Sequence, residues 1–577
     1  MPREEYPRPQ FVRGNWINLN GPWDFSFEKG RYDRTITVPY VCESALSGIG
    51  ETGFHDRVYY RRRFTLGPRA EGERLLLHFG AVDYRCEVFL NGRYAGGHTG
   101  GHISFTLDVT EAAREGENEL AVDVRDEAAD MTIPRGKQFW EEKSRSIFYT
   151  RTTGIWQTVW LETVPETYLE DVAITPDLDS RSVAFRYQIA GRADACLKAD
   201  ISFQGKPVAS HTLSPARRSG RFTVLLDNEA LGKWNFQEDL SWSPEHPNLF
   251  DVRFTLLLDG AETDRVDSYF GVRKVSCENG RFLLNNRPYY QKLLLDQGYW
   301  PQSLLTAPDD EAFITDIRLA KEMGFNGVRK HQKIEDPRFL YHADRMGFLV
   351  WGEIAAAYVY SEDYVQRFTD EWMEEIKRDY SHPSIVAWTP LNESWGVLQI
   401  AQDAQQKHHS AAMVHLTKSL DPTRPVISND GWEHTCTDLL TIHDYAADYD
   451  VLRARYRDVE TILDSQPAGR RLLVEGFSYQ GQPILVSEFG GISFQCDAQQ
   501  GWGYSSARSE EDFARRYHAV VGALLDSPAV CGFCYTQLTD VEQEINGLLT
   551  YDRKPKTDLS VIRAINEGRW NGGKEKE

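Results

Sequence analysis

No apolar run in this chain approaches the ~20 consecutive residues that a membrane-spanning helix requires. The first residues, Met1-Pro2-Arg3-Glu4-Glu5-Tyr6-Pro7, carry no apolar stretch of the kind that directs secretion. Both absences predict a cytoplasmic chain with no membrane partner. Positive charge is short: 65 Lys and Arg against 86 Asp and Glu leave a net −21, which argues against nucleic acid and anionic lipid. Cysteine is sparse and scattered. The eight (Cys42, Cys86, Cys196, Cys277, Cys436, Cys496, Cys531 and Cys534) cannot frame a small disulfide scaffold in a chain of 577 residues. Cys531-Gly532-Phe533-Cys534 matches a redox or zinc spacing in letters only. It lies in a strand-like run where positions i and i+3 face opposite sides, so the sulfurs are not expected to converge. There are no internal repeats and no low-complexity segments. No metal site and no organic cofactor are predicted.

What is present is β-structure, then alternation. The length predicts about three to five domains. From about residue 12 to 163, short β-like runs such as Leu75-Leu76-Leu77-His78-Phe79 and Leu120-Ala121-Val122-Asp123-Val124 alternate with Gly, Asn and Asp turns. Asn91-Gly92 is a hairpin signal. We read residues 1–165 as a jelly-roll sandwich and 166–275 as a second, immunoglobulin-sized sandwich without a Cys-Trp-Cys framework. Beyond residue 276 strand-like and amphipathic segments alternate. Eight strands are expected, at Tyr289 to Leu295, Gly327 to Arg329, Phe348 to Trp351, Ile385 to Thr389, Pro425 to Ile427, Leu439 to Ile442, Ile484 to Val486 and Val530 to Tyr535. With helices between most of them, residues 276–577 predict a (β/α)8 barrel. The tail from Asn571 to Glu577 is expected to be disordered. The many Trp and Tyr suit stacking on sugar faces, although buried aromatics of sandwiches account for most of them.

Two segments of the barrel carry the chemistry: Leu391-Asn392-Glu393-Ser394-Trp395 and Val486-Ser487-Glu488-Phe489-Gly490-Gly491. Each sets one carboxylate directly after an apolar strand, where barrel residues face the active site. An isolated Asn-Glu or Ser-Glu pair is commonplace. This pair recurs in matching settings, 488 − 393 = 95 residues apart. At about 30 residues per strand-helix unit, that separation predicts strands four and seven. Two facing glutamates are what glycosidic-bond cleavage needs: one protonates the leaving oxygen, the other attacks or stabilises the sugar carbon.

The sequence resembles glycoside hydrolase family 2. The resemblance rests on Asn18-Leu19-Asn20-Gly21-Pro22-Trp23-Asp24-Phe25, Val82-Asp83-Tyr84, Leu90-Asn91-Gly92, Thr153-Gly154-Ile155-Trp156, Phe270-Gly271-Val272-Arg273 and Leu283 to Pro288, in order along nearly the whole chain. It implies a jelly-roll sugar-binding domain, an immunoglobulin-like domain and a catalytic barrel. It implies that Glu393 is the general acid/base and Glu488 the nucleophile. Asn392 matches the residue that bonds the sugar 2-hydroxyl, and Tyr445 the tyrosine that donates to the nucleophile. His331 resembles a sugar-contacting histidine, with a rim histidine bonded to a neighbour as the other reading. Glu353 matches a third carboxylate serving the site's electrostatics. The acid/base is expected to hold its proton above the ordinary Glu range, because the nucleophile's negative charge lies nearby.

The departures concern the sugar. The loop after the first strand reads Gln291 to Trp300 in place of the family's Arg-Gly-Val-Asn-Arg-His, which offers Asp296, Tyr299 and Trp300 as contacts by position only. Trp388 and Trp395 flank Glu393, and either reading, stacking platform or packed barrel tryptophan, stands. Family glucuronidases carry an Asn-x-Lys pair before a Gly-hydrophobic-hydrophobic-Thr segment. Here Gly547-Leu548-Leu549-Thr550 is preceded by Glu544-Ile545-Asn546, and a carboxylate would repel a uronate. A neutral sugar is therefore expected, β-galactoside first. Arg151, Arg329 and Lys330 keep a β-uronide open, and an α-L-arabinoside is a further alternative. The expected protein is an exo-acting retaining β-glycosidase whose partner is a small carbohydrate; whether it is a homo-oligomer is left open. The competing readings are an endo-acting polysaccharidase and a catalytically inactive carbohydrate-binding protein. Joint retention of Glu393, Glu488, Asn392 and Tyr445 argues against the last.

Overall fold

Alternating burial governs the first 270 residues. Strand Gly116–Arg125 buries every second side chain, as a sheet with one face on a core requires. The structure is a computed structural model that describes residues 2–214, 216–226, 235–496 and 501–570. The expected disordered tail, 571–577, lies outside them. Two antiparallel sheets form the first unit. One has the order Trp16–Asn18, Val159–Val164, Arg74–Phe79, Phe105–Asp108; the other Arg34–Val38, Gly21–Ser26, Arg57–Leu66, Gly116–Arg125, Arg85–Leu90, Arg93–Thr99. Trp23, Phe25, Tyr60, Leu77, Val88, Leu120 and Leu161 fill the space between them. Asn91 and Gly92 take φ of 52° and 76°, which makes the predicted two-residue turn. A second pair of antiparallel sheets spans Tyr168–Asp177 to Ala261–Phe270 around Phe185, Phe254 and Phe270.

The third unit is a curled parallel sheet. Its elements are β1 (Gln291–Asp296), α1 (Asp310–Glu322), β2 (Gly327–Lys330), α2 (Pro337–Met346), β3 (Leu349–Glu353), α3 (Glu362–Asp379), β4 (Ile385–Thr389), α4 (Ala404–Leu420), β5 (Leu440–Asp444), β6 (Ile484–Gly490), α5 (Glu510–Leu525) and β7 (Val530–Thr536). The strand order is β4-β3-β2-β1-β7-β6-β5. The side chains of Asp309, Asp336, Ser361, Asp403 and Ser509 cap α1 to α5 in turn, which fixes where each helix starts. Among the described residues, no helix is long and apolar enough to cross a membrane.

Seven strands are hydrogen-bonded in this sheet where eight are expected. The expected strand at Pro425-Val426-Ile427 is instead an irregular segment between β4 and β5. It makes single bridges from Val426 to Trp388 and from Asp430 to Asn392. The reason is local. Pro425 has no N–H, and side chains take over the ladder: Asn429 Oδ1 accepts from the Ser394 amide at 2.9 Å and Thr437 Oγ1 accepts from the Ser428 amide at 3.2 Å. The short helices Tyr449–Arg455, Val459–Asp464 and Leu559–Asn566 carry no sequence expectation. Cys531 and Cys534, which share a redox-like spacing in letters, are both free.

Candidate active site

Arg329 organises the C-terminal mouth of the barrel. It sits on β2 and is fully buried. Its Nε donates to Glu353 at 2.6 Å, one terminal nitrogen donates to Glu488 at 2.9 Å and lies 2.5 Å from Asp430, and the other donates to Asn392 at 2.6 Å. The ends of β3 and β4, strand β6 and the irregular segment at Asp430 are thereby tied to one guanidinium, whose rigid fork suits several acceptors at once.

Glu393 follows β4 in a turn that holds it in place. Glu393 and Ser394 both adopt left-handed φ, 50° and 58°. That conformation is unfavourable for non-glycine residues and persists only where surroundings enforce it. Here the Glu393 amide donates to the Asp430 carbonyl at 2.9 Å and the Ser394 hydroxyl donates to Glu433 at 2.6 Å. Glu488 lies within β6, with Tyr445 donating to its second oxygen at 2.6 Å. Tyr445 stacks on Tyr504 with ring centres 3.5 Å apart. Ligating oxygens of Glu393 and Glu488 and a ring nitrogen of His443 all lie within 4.8 Å of one another. The Glu393 side chain is 18% exposed and that of Glu488 7%, so Glu393 is the one nearer water.

His443 joins the two. Its Nδ1 is 2.8 Å from Glu393 and 3.5 Å from Glu488, and its Nε2 is 2.8 Å from Asp430. Burial alone would lower its pKa. The charges of Glu488 and Asp430, with the hydrogen bonds to Asp430 and Glu393, outweigh burial and push it up to about 10. The same contact reverses the sequence expectation for Glu393. Burial pushes its pKa up, but His443, Lys137 and Arg329 bring it below the ordinary Glu value. The proton that an acid would donate thus rests on the imidazole side of the pair. Asp430 is held well below the ordinary range: burial opposes, but Arg329 and His443 prevail. Burial raises Glu353 despite Arg329. Burial together with Arg329 and Lys137 keeps His331 neutral, 3.1 Å from Glu353 and 4.0 Å from Glu488.

The cluster therefore brings together Glu393, Glu488, Asn392, Tyr445, His331 and Glu353. Asn392 accepts from Arg329 through Oδ1, while its buried Nδ2 has no partner among the described residues. Asp296 and Trp300 are not brought there. Asp296 Oδ2 accepts from Lys330 at 2.6 Å and its Oδ1 from the Gly298 amide at 2.8 Å, so the carboxylate is consumed by its own neighbours. Trp300 is buried beside Phe313 of α1, with Lys333 and Arg553 over its ring. Trp395 is half-buried at the rim, edge-on to Tyr358 at 5.2 Å and Phe148 at 6.2 Å. Arg151 is committed to the carbonyls of Thr52 and Gly53.

Sequence reasoning missed Asp430, His443, Tyr504 and Lys137. His443 was within reach, since it stands two residues before Tyr445 in Ile442-His443-Asp444-Tyr445. Glu393, His443 and Glu488 have the spacing of a metal-binding trio. Both nitrogens of His443 are, however, hydrogen-bonded to carboxylates, and a protonated imidazole has no lone pair to give a metal. The trio is built to share a proton.

Comparison with known proteins places the chain in a family. Residues 275–568 match the model for "Glycosyl hydrolases family 2, TIM barrel domain", 167–273 the model for "Glycosyl hydrolases family 2", and 49–155 that for "Glycosyl hydrolase 2 galactose-binding domain-like". The chain belongs to glycoside hydrolase family 2. It is 25% identical to a beta-galactosidase of Leuconostoc mesenteroides over 95% of this chain and 51% of that protein. It is 24% identical to the beta-glucuronidase of Canis lupus familiaris over 97% of this chain and 91% of that one. The chain spans about half the length of the bacterial relatives that head the comparison. Its fold matches Bifidobacterium dentium beta-glucuronidase complexed with coumarin-3-O-glucuronide, with a TM-score of 0.79 and 21% identity over 98% of this chain and 99% of that one.

Proposed function

We propose that this family 2 chain is an exo-acting retaining β-glycosidase. Its first unit (1–165) would be a jelly roll, its second (166–275) immunoglobulin-like, and its barrel (276–577) catalytic. One observation carries the reaction type. One oxygen of Glu393 and one of Glu488 lie within 4.8 Å of each other, which suits the about 5–5.5 Å of double displacement better than the wider ~6.5–9.5 Å that inversion needs for an intervening water. Glu488, oriented by Tyr445 and Arg329, attacks the anomeric carbon. The glycosidic bond breaks and its oxygen takes the proton of the Glu393–His443 pair through Glu393. In the second step water gives its proton back to that pair and its oxygen displaces Glu488. The unpartnered Nδ2 of Asn392 is the donor for the sugar 2-hydroxyl, a contact that strengthens as charge builds at carbon one.

Neutral β-galactoside is the expectation from Glu544, and the names of the relatives include both galactosidase and glucuronidase. The repulsion argument needs an uncompensated charge on Glu544. Tyr149 donates to Glu544 at 2.6 Å and Asn546 at 3.0 Å. Burial raises its pKa further than Lys137 and these bonds lower it. The glycone is thus decided by other groups. The reaction type is tested with Glu393→Ala on a nitrophenyl glycoside plus azide: rate recovery with a β-glycosyl azide is expected, and an α-azide refutes retention.

A further inference from the structure

Among the described residues four lysines are buried: Lys137, Lys330, Lys333 and Lys556. Three of them are ion-paired. Lys330 meets Asp296 at 2.6 Å and Glu335 at 2.7 Å. Lys333 donates to Glu335 and to the carbonyls of Gly298 and Leu305, at 3.0, 2.8 and 2.8 Å. Lys556 meets Asp540 at 2.6 Å and the Ile545 carbonyl at 2.9 Å. Lys137 is 7% exposed, yet no described residue accepts a hydrogen bond from its ammonium or pairs with it. Two aromatic rings, Phe148 and Tyr149, lie 5.8 and 5.9 Å from it. Its stem is buried while the ammonium itself stays accessible and without a protein acceptor, a charge free to meet an incoming anion.

The position of this charge is fixed by the barrel. The amides of Arg135 and Gly136 donate to the Ala356 carbonyl, just beyond β3, at 3.0 and 2.9 Å. The Tyr358 hydroxyl donates to the Gly136 carbonyl. Gly136 has φ of 60°, and a Cβ there would lie 2.2 Å from the Gln332 carbonyl, so only glycine permits this approach. On the other side the Tyr149 amide donates to the Lys137 carbonyl at 2.9 Å, and the Tyr149 hydroxyl reaches Glu544. Lys137 is therefore clamped between the residue after His331 and the partner of Glu544. Its charge is felt by Glu393, Glu544 and His331. It is a cation from the first unit held beside the catalytic carboxylates with its hydrogen-bonding capacity unused.

We propose that Lys137 is a specificity-determining residue that pairs with the carboxylate of a β-D-uronide glycone. The inference rests on the retaining β-glycosidase reading and adds the substrate class to it. The other cations that could meet a uronate are committed: Arg329 to Glu353, Asp430 and Glu488, Lys330 to Asp296 and Glu335, and Arg151 to backbone carbonyls. A uronate carboxylate would supply the acceptor Lys137 lacks. Glu544, bonded by Tyr149 and Asn546, forms the neighbouring wall and not a competing ion pair, since no oxygen of it lies within 4.0 Å of the ammonium.

The test uses the full chain and four nitrophenyl glycosides: β-galacturonide, β-glucuronide, β-galactoside and α-L-arabinoside. Wild-type kcat/KM on one uronide is expected to exceed that on the galactoside at least tenfold, about 1.4 kcal/mol of transition-state preference. In Lys137→Met that ratio should fall roughly 100-fold, the scale of a lost buried charge contact, and Lys137→Arg should keep part of it. A wild-type preference for galactoside, or a ratio unmoved in Lys137→Met, overturns the proposal. Binding of free D-galacturonate and D-glucuronate to Glu488→Gln, with and without Lys137→Met, reads the site without turnover. Uronate binding that depends on Lys137 without hydrolysis of any substrate would sink the enzyme reading and spare the anion site. No uronate binding at all would sink the anion site. Folding is controlled by thermal unfolding: removing an unpaired ammonium should leave Tm unchanged or raise it.

Discussion

Arg329 and Lys330 are adjacent on β2 and serve two unlike charge clusters. Successive strand residues face opposite sides, so one points into the barrel mouth and the other into the layer beneath the helices. On the Lys330 side the charges are matched: Lys330 and Lys333 close on Asp296 and Glu335. On the Arg329 side one guanidinium and one imidazolium face Glu353, Asp430, Glu488 and Glu393. The closed cluster holds elements together. The open one keeps a surplus of negative charge, which on the proposed reaction would face the positive charge of an oxocarbenium-like transition state, and it leaves donors such as Asn392 Nδ2 unspent.

The sharpest way to break this comparison is to remove one carboxylate from each side. Glu488→Gln should cost about four to six orders of magnitude in kcat while leaving the denaturation midpoint near that of the parent, since no substitute nucleophile is within reach. Glu335→Gln should do the reverse. It leaves Lys330 and Lys333 short of an anion in a buried setting, and a loss of about 3–5 kcal/mol by urea denaturation is expected. A Glu335→Gln chain that is fully stable, or a Glu488→Gln chain that turns over, would erase the distinction.

Next in size is His443. The groups that face it are Glu393, Glu488, Asp430 and the Arg329 guanidinium, with the Trp432 ring 5.5 Å away. If the pair with Glu393 holds the working proton, kcat/KM in the parent should fall on the alkaline side only as pH nears about 10. His443→Gln should lower kcat/KM about 100-fold and move that limb to lower pH by at least one unit. An alkaline limb that stays in place would mean that Glu393 keeps its proton alone. The sign for stability follows from the same shift. A histidine raised from 6.5 to about 10 on folding stabilises the fold fully below pH 6.5 and loses that contribution as pH rises toward 10. His443→Gln should therefore flatten the alkaline decline of the urea midpoint.

Parts of this were legible in the sequence for physical reasons. Glu393 and Glu488 announce themselves because strand-end position is a local property of an apolar run. Helices between most of the barrel strands are also expected, because an amphipathic period is local too. Asp296 misled because its fate is set by register: it lies opposite Lys330 across the β1–β2 pairing, and no local pattern in β1 reveals that. The fifth strand failed because Pro425 and the polar run Ser428-Asn429-Asp430 substitute side chains for a ladder. Lys137 could not be found at all from spacing. It reaches the site through a loop of a different unit, by the approach of Gly136 to Gln332. The raised acid expected for Glu393 was reasoned from Glu488 alone, and His443 reverses it.

The smallest effects separate the two tryptophans that flank Glu393. Trp388 is wholly buried, its indole nitrogen donates to Asp421 at 2.8 Å, and it meets Trp372 edge-on at 5.8 Å. Trp395 is half-buried at the rim, against Tyr358 of the barrel and Phe148 of the first unit. Trp388→Ala should behave as a core truncation and cost about 3–5 kcal/mol of stability. Trp395→Ala should cost little stability. If its face receives the sugar or aglycone, the loss is ground-state and transition-state binding together, so KM should rise by up to about tenfold while kcat holds. The measurement is a Michaelis series on substrates of equal glycone and differing aglycone. A KM change that grows with aglycone size places Trp395 under the leaving group; one that is the same for all places it under the glycone. An unchanged KM throughout would return Trp395 to the packing role that Trp388 fills.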